Sequence, residues 1–321
     1  MKIYLSWIVF SICSLGKILA QDDPCKFSPN FFGTLLELNS ANVEQGTASL
    51  QVYFYGGYVY GSYQNNFSLN KTVQYGYLNP QVNAYFGLTS YLELDFITGM
   101  QTVFFQEKND TALNDTTPGL AYQPLFDDQH SNIPNLRFVL YEIFPTSAHH
   151  QVTPDFIGIN TSGTGSYGTE IGFTINKNFY LSSCHPFNLS LNFTYTYRNL
   201  TRYKGINTFG GGPFTDIHLR PGGIFWSDLG CEIALNSQLF FALDLQYTHI
   251  LKAHYNGYVG NNFDGSLATI ATSSKDLFVV APALEFNINP NFACYLGGYF
   301  TAFGRNTSAE ALASLAFAYS F

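Results

Sequence analysis

Charge is what this chain has least of. Only 11% of its 321 residues are Asp, Glu, Lys or Arg, against roughly 25% in an average soluble domain. Disordered chains are rich in charge and poor in rings, so that class is excluded. Coiled coils need abundant Ala, Glu, Lys and Leu, and this chain favours Gly, Asn, Thr and Tyr instead. Lys and Arg total 14 against 22 Asp and Glu, for a net charge of -8. A balance so short of cations argues against a nucleic-acid partner. Long apolar runs are also absent. Past the N-terminus nothing approaches 18 consecutive apolar residues, which excludes helical membrane spans. The five cysteines include no C-x-x-C pair, so zinc and redox motifs find no support and no cofactor is implied.

What the chain does have is rings. It carries 31 Phe and 23 Tyr but only 2 Trp, within an ordinary apolar share of 46%. Residues 1–20 read as a signal peptide. Lys2 gives the positive start, Ile3 to Leu15 the apolar stretch, and Ala20 a small residue before Gln21-Asp22-Asp23. No Cys follows Ala20 directly, so the leader is not of the lipoprotein kind. An exported chain can hold disulfides. The four remaining cysteines, Cys25, Cys184, Cys231 and Cys294, allow three connectivities.

After residue 45 the dominant signal is alternation with period two. Leu239, Phe241, Leu243, Leu245 and Tyr247 fall on one side, while Phe240, Ala242, Asp244, Gln246 and Thr248 fall on the other. Leu189 to Tyr197 and Leu277 to Ile288 behave alike. Successive strand residues point to opposite faces, so these are strands with one apolar and one polar face. A soluble sandwich shares that pattern, and length decides between the two. Many segments run about 12 to 16 residues, whereas globular strands peak near 5 to 6. A tilted strand needs about 9 to 11 residues to cross a bilayer. Links also alternate. Thr89-Ser90, Asn236-Ser237 and Asn289-Pro290 are tight, whereas 147–163, 204–221 and 255–274 are long and polar. Short turns at one end and long loops at the other make the outer-membrane barrel arrangement.

The spacing predicts twelve strands, at 47–62, 72–88, 91–106, 117–126, 133–146, 164–180, 187–203, 222–236, 238–254, 275–289, 291–304 and 309–321. The 117–126 segment is the weakest, because Pro124 removes a ladder donor. Without it the long loops would fall on opposite ends. With it, every long loop lies on one side and both termini on the other. The expected fold is therefore all-β: a single antiparallel up-and-down transmembrane β-barrel of about 12 strands, within a range of 10 to 14. It occupies residues 47–321. The preceding residues 21–46 either enter the barrel as a plug or lie beneath it on the periplasmic side. Cys25 and Cys184 share that predicted side, where a disulfide between them would tether the segment.

The last strand places Ala311, Ala313, Leu315, Phe317, Tyr319 and Phe321 on one face, with the sequence ending at Phe321. Such a strand resembles the assembly signal of bacterial outer-membrane barrels. That resemblance implies that Phe317, Tyr319 and Phe321 engage the barrel-assembly machinery. A second resemblance covers roughly residues 80–180. It rests on Tyr85-Phe86-Gly87-Leu88-Thr89-Ser90-Tyr91-Leu92-Glu93-Leu94, Pro134-Asn135-Leu136-Arg137, Glu142-Ile143-Phe144-Pro145-Thr146 and Gly163-Thr164-Gly165-Ser166-Tyr167. In their order and spacing these pieces resemble the outer-membrane family associated with the phenol meta-cleavage pathway. Ser147 stands where that family often has Gly. The resemblance implies the bacterial outer membrane, with its lipid as environment, and a porin or transporter for hydrophobic compounds.

Polar strand residues supply the candidate site. Parity predicts that Glu93, Asp95, Glu142, Glu170, Arg198, Asp228, Glu232, Asp244 and Glu285 line the lumen. A charge on the lipid face costs roughly 2 to 4 kcal/mol at midplane for Arg or Lys, so inward placement is the cheap arrangement. An acidic interior disfavours anions. Other chemistry is thinner. Gly163 to Gly168 fits G-x-G-x-x-G, but it leads into an alternating segment rather than the helix that holds a pyrophosphate. His149-His150 lacks further metal ligands. His249 is the one histidine placed for a barrel-wall hydrolase, which requires a serine or an acidic partner within hydrogen-bond reach of it. No G-x-S-x-G occurs. The expected function is passive passage of small molecules without catalysis. The alternatives are a closed surface barrel whose loops bind, and, more remotely, a hydrolase.

Overall fold

The structure, a computed structural model, describes residues 31–36, 41–71, 74–127, 132–147, 149, 156, 159–180 and 185–321. The first half of the chain forms β1 (Ala48–Tyr63), β2 (Leu69–Asn70), β3 (Tyr75–Gly87), β4 (Leu92–Phe105), β5 (Lys108–Leu113), β6 (Thr117–Leu125), β7 (Asn135–Ile143) and β8 (Gly168–Phe179). The second half forms β9 (Phe187–Arg198), β10 (Thr201–Lys204), β11 (Asp216–Arg220), β12 (Ile224–Ala234), β13 (Leu239–Ile250), β14 (His254–Tyr258), β15 (Lys275–Asn289), β16 (Phe292–Arg305) and β17 (Thr307–Ser320).

Twelve of these are barrel staves, hydrogen-bonded in the order β17-β16-β15-β13-β12-β9-β8-β7-β6-β4-β3-β1. The wall closes where β17 pairs antiparallel with β1, from Ser49 opposite Ser320 to Tyr63 opposite Thr307. Phe321 extends that seam by exchanging two backbone hydrogen bonds of 2.9 Å with Ala48. A closed sheet leaves no unpaired edge, and in lipid an unpaired backbone group would be costly.

All twelve expected strands are present in the expected order. Tight turns at 88–91, 235–238 and 290–291 occupy one end, with Ala48 and Phe321 beside them. Pro124 sits where the β6–β7 register shifts between Tyr122 and Leu125. A bulge leaves a residue outside the ladder, so the missing N–H costs nothing there. β5 pairs with the outer half of β4 and β6 with its inner half. The 106–116 link is therefore a hairpin rising beyond the wall. β10, β11 and β14 form a separate three-stranded sheet at the long-loop end, within segments whose pattern predicted mainly loop. Gly168 opens β8, so the glycine motif leads into a strand and offers no helix end to a nucleotide.

The outer wall is apolar. Phe54, Leu94, Phe96, Leu120, Phe138, Leu140, Ile171, Leu191, Leu229 and Leu296 alternate with inward neighbours and stand exposed. A soluble protein would cover so continuous a surface. A barrel turns it to lipid, with polar residues facing inward. Leu229→Arg therefore destabilises the folded barrel by roughly 2–4 kcal/mol in a bilayer, read by denaturant unfolding from liposomes. Thr194→Arg, on the inner wall, escapes this penalty.

Candidate functional site: the barrel interior

The inner wall holds two polar centres. The first lies between β4 and β7. Glu93 and Asp95 alternate with outward Leu92, Leu94 and Phe96, which fixes both carboxylates inside. Arg137 lies on β7 by the same parity, between outward Leu136 and Phe138. Its Nη2 donates to Glu93 Oε1 at 2.6 Å and to Asp95 Oδ2 at 2.7 Å, with all three side chains fully buried. The Tyr141 hydroxyl donates to the same Asp95 oxygen at 2.7 Å. An amide ladder continues the network around the wall. Gln123 donates to Asn135 at 2.9 Å, Asn135 to Asn176 at 3.3 Å, and Asn176 to Asn188 at 2.7 Å.

The second centre lies across β12, β13 and β15. Asp228, Glu232, Asp244 and Glu285 are all buried on the inner face. Asp244 is opposite Gly230 on one side and Ala281 on the other. Small residues there leave room for a second chain segment.

Residues 31–36 and 41–46 supply that segment. Asp244 accepts from the Thr34 hydroxyl, from Leu35 N at 3.1 Å and from Leu36 N at 3.3 Å. Leu35 is buried against Ala242, Ala281 and Ala283 of the inner wall. Phe32 packs on inner-wall Ala293, Tyr295, Ala316 and Ala318, and the Phe31 ring meets Phe240 edge-on at 5.4 Å. Farther along, Val43 N donates to Glu93 Oε2 at 2.5 Å, and Asn42 N donates to Gln123 at 2.6 Å. Arg137 Nε donates to Asn42 Oδ1 at 2.9 Å. Both centres thus bind one strip of chain through its backbone N–H groups. Above it, Leu36, Glu170, Thr194, Thr196, Arg198 and Trp226 border a cavity of about 280 Å³. Thr196 donates to Glu170 at 2.5 Å, and Arg198 reaches Asp115 at 3.7 Å.

Two tyrosines reach their carboxylates by the same device. Gly119 is directly opposite Tyr141, and Gly57 directly opposite Tyr77. A Cβ on Gly119 would stand 2.0 Å from Tyr141 Cδ1, and one on Gly57 would stand 2.2 Å from Tyr77 Cζ. Each ring lies flat over the glycine and extends its hydroxyl, Tyr141 to Asp95 and Tyr77 to Glu310 at 3.1 Å. Tyr299 donates to the other Glu310 oxygen at 2.5 Å. Gly119→Val pushes the ring off the wall and costs about 1–3 kcal/mol of overpacking strain. Denaturant midpoints of the variant and of Tyr141→Phe, which loses only the hydroxyl, separate the two effects.

Glu93, Asp95, Glu170, Arg198, Asp228, Glu232, Asp244 and Glu285 lie on the inner wall. Glu142 does not. It is exposed on the outer face of β7, where Thr169 donates to it at 2.9 Å. Val139, Tyr141 and Ile143 take the inward positions, so residues 138–143 are apolar on both sides apart from Glu142, and local polarity misplaces that acid. Arg137 five residues earlier fixes the parity correctly. Arg137 and Glu310 are interior charges that the alternation could have revealed. Thr34, Asn42 and Val43 carry no comparable signal. Phe317 and Tyr319 face outward, and Phe321 sits at the seam. Cys25, Cys184 and residues 1–20 lie outside the described residues, as does His150. His149 bonds the Ser147 carbonyl at 2.9 Å.

His249 does have an acidic partner. Its Nδ1 is 2.6 Å from Asp276 Oδ1, the Tyr247 hydroxyl donates to the same oxygen at 2.7 Å, and Arg305 Nη2 is 2.6 Å from Oδ2. This group lies on the outward face near the long loops. The acidic partner that the hydrolase reading asks for is therefore present, and no hydroxyl bonds His249 among the described residues.

No protein-family model matches the chain, and no curated protein does. Solved structures do. An outer membrane channel from Pseudomonas putida F1 is 10% identical, with a TM-score of 0.62 over 92% of this chain and 100% of that one. The β domain of the Bordetella autotransporter BrkA is also 10% identical, with a TM-score of 0.44 over 86% of this chain and 100% of its own. The apolar outer wall, polar interior, closed seam and first of these likenesses agree. The chain folds as a twelve-stranded bacterial outer-membrane β-barrel.

Proposed function

We propose that this barrel is a channel for passive passage of small uncharged or cationic solutes, with residues 31–46 acting as a plug that narrows the bore. The observation that carries the reading is the pair of interior centres holding that segment by its backbone. A barrel packed shut for structure alone would bury side chains there. This one instead receives a separate strip of chain beside an open cavity of about 280 Å³. Eight inward carboxylates, Glu93, Asp95, Glu170, Asp228, Glu232, Asp244, Glu285 and Glu310, stand against Arg137, Arg198 and Lys275 among the described strand residues. Acidic linings favour cations over anions. Leu36 and Trp226 at the cavity suit a solute with an apolar part, in keeping with the sequence resemblance to hydrophobic-compound transporters. The outward Phe317 and Tyr319 and the seam residue Phe321 engage the assembly machinery in this reading, which rests on the resemblance of the last strand to the barrel-assembly signal.

Planar-bilayer recording in asymmetric salt tests the reading. The purified protein should conduct with a reversal potential on the cation side. Anion preference at neutral pH would reject the acidic-conduit account. The occupied bore also favours a second reading, a closed surface barrel whose outer loops bind. A protein that conducts nothing, with or without residues 31–46, would select it.

A further inference from the structure

The outer sheet gathers cations that the barrel does not use. Arg202 and Lys204 on β10, Arg220 on β11 and Lys252 just before β14 are all exposed. They are four of only 14 Lys and Arg in the chain. Directly opposed residues in an antiparallel pair share a face. Arg202 is opposite His218 and Arg220 is opposite His254, so the exposed face also carries both imidazoles. The buried face carries Tyr203, Ile217 and Leu219, packed on Ala253. Asp216 is the only carboxylate in residues 199–227, and residues 245–263 contain none. Arg202 engages it with two hydrogen bonds, at 2.7 and 2.6 Å. Those bonds hold the Asp216 carboxyl below its ordinary range. Lys204 is directly opposite Asp216 and its charge adds to that lowering, whereas Arg220 and Lys252 have no carboxylate partner among the described residues.

This face continues the lipid-facing wall. The Arg220 guanidinium stacks 5.6 Å from the ring centroid of Tyr197, an outward residue of β9. Next to it is a cavity of about 330 Å³, bordered by Tyr195, Tyr197 and Leu251 on its apolar side and by Arg220, Lys252 and His254 on its polar side. Aromatic rings mark the level where a membrane's headgroups begin. A pocket at that level on the long-loop side, apolar below and cationic above, matches a lipid headgroup that bears phosphate. Guanidinium and ammonium groups bind phosphate oxygens by charge-assisted hydrogen bonds.

We infer that the β10–β11–β14 face is a docking site for the phosphorylated glycolipid headgroup of the outer leaflet, held by Arg220, Lys252 and Lys204. Native mass spectrometry of the full-length protein in neutral detergent tests this, with lipid A and its dephosphorylated form as probes. The expected result is that lipid A binds at least about tenfold more tightly than the dephosphorylated form. The triple variant Lys204→Gln/Arg220→Gln/Lys252→Gln should lose that margin while keeping the heat-modifiable gel mobility of a folded barrel. The variant Lys71→Gln/Lys108→Gln, which removes two cations elsewhere, should keep it. Equal binding of the two lipids, retention by the triple variant, or equal loss in the control would each overturn the inference. Displacement by excess inorganic phosphate would assign the site to a free anion and overturn it as well.

Discussion

Replacing Arg137 with Met destabilises the barrel by roughly 3–5 kcal/mol, the usual cost of removing one partner from a buried ion pair. Glu93 and Asp95 both reach the same guanidinium nitrogen, at 2.6 and 2.7 Å, and all three side chains are shut off from solvent. Without the cation, two carboxylates two residues apart on one strand face each other in a site that water does not reach. Arg137 also holds Asn42 at 2.9 Å, so its loss loosens the plug from the first centre. The contrast variant is Glu93→Gln/Asp95→Asn/Arg137→Met, which removes charge from both sides. It should regain most of the loss, because the penalty lies in the uncompensated charges rather than in the absent pair. Urea titration of the folded fraction, followed by heat-modifiable mobility, checks both variants. Equal stability of Arg137→Met and the parent would show that the carboxylates do not depend on Arg137.

Asp244→Ala releases the plug at the second centre. The carboxylate accepts from Thr34 and from the backbone of Leu35 and Leu36. Hydrogen bonds to a charged group contribute about 1.5–3 kcal/mol each. Losing two or three of them shifts the bound-to-free ratio of the segment by on the order of a hundredfold or more. Leu35 is buried against three inner-wall alanines in the parent. A Leu35→Cys thiol should therefore react slowly with a membrane-impermeant maleimide in the parent background and far faster with Asp244→Ala. The wall itself should be little affected, because Asp244 keeps its backbone pairs to Gly230 and Ala281. Equal labelling rates would mean that Asp244 does not hold the segment.

The wall was legible because lipid on one side forces a plain alternation onto every stave. That alternation placed all twelve strands, and loop parity restored even the stave interrupted by Pro124. It failed where part of a strand is apolar on both faces, as in residues 138–143 of β7, and so Glu142 was read inward although Arg137 gives the true parity. The outer sheet was hidden for a different reason. β10 and β11 are four and five residues long, too short for alternation to stand out, and their buried partners come from distant loops. The plug was the least legible part. Thr34 meets Asp244 across 210 positions of sequence. Nothing local marks it, because much of its hold comes from backbone N–H groups that every residue has, and its side-chain contacts fall on residues far off in sequence.

The central claim is that residues 31–46 narrow a conduit that the barrel wall leaves open. Single-channel conductance of the full-length protein against a variant lacking residues 21–46 tests it most directly. The account predicts small conductance for the parent, a several-fold rise on deletion, and cation preference in both. Unchanged conductance after deletion, with the variant barrel folded, would contradict it.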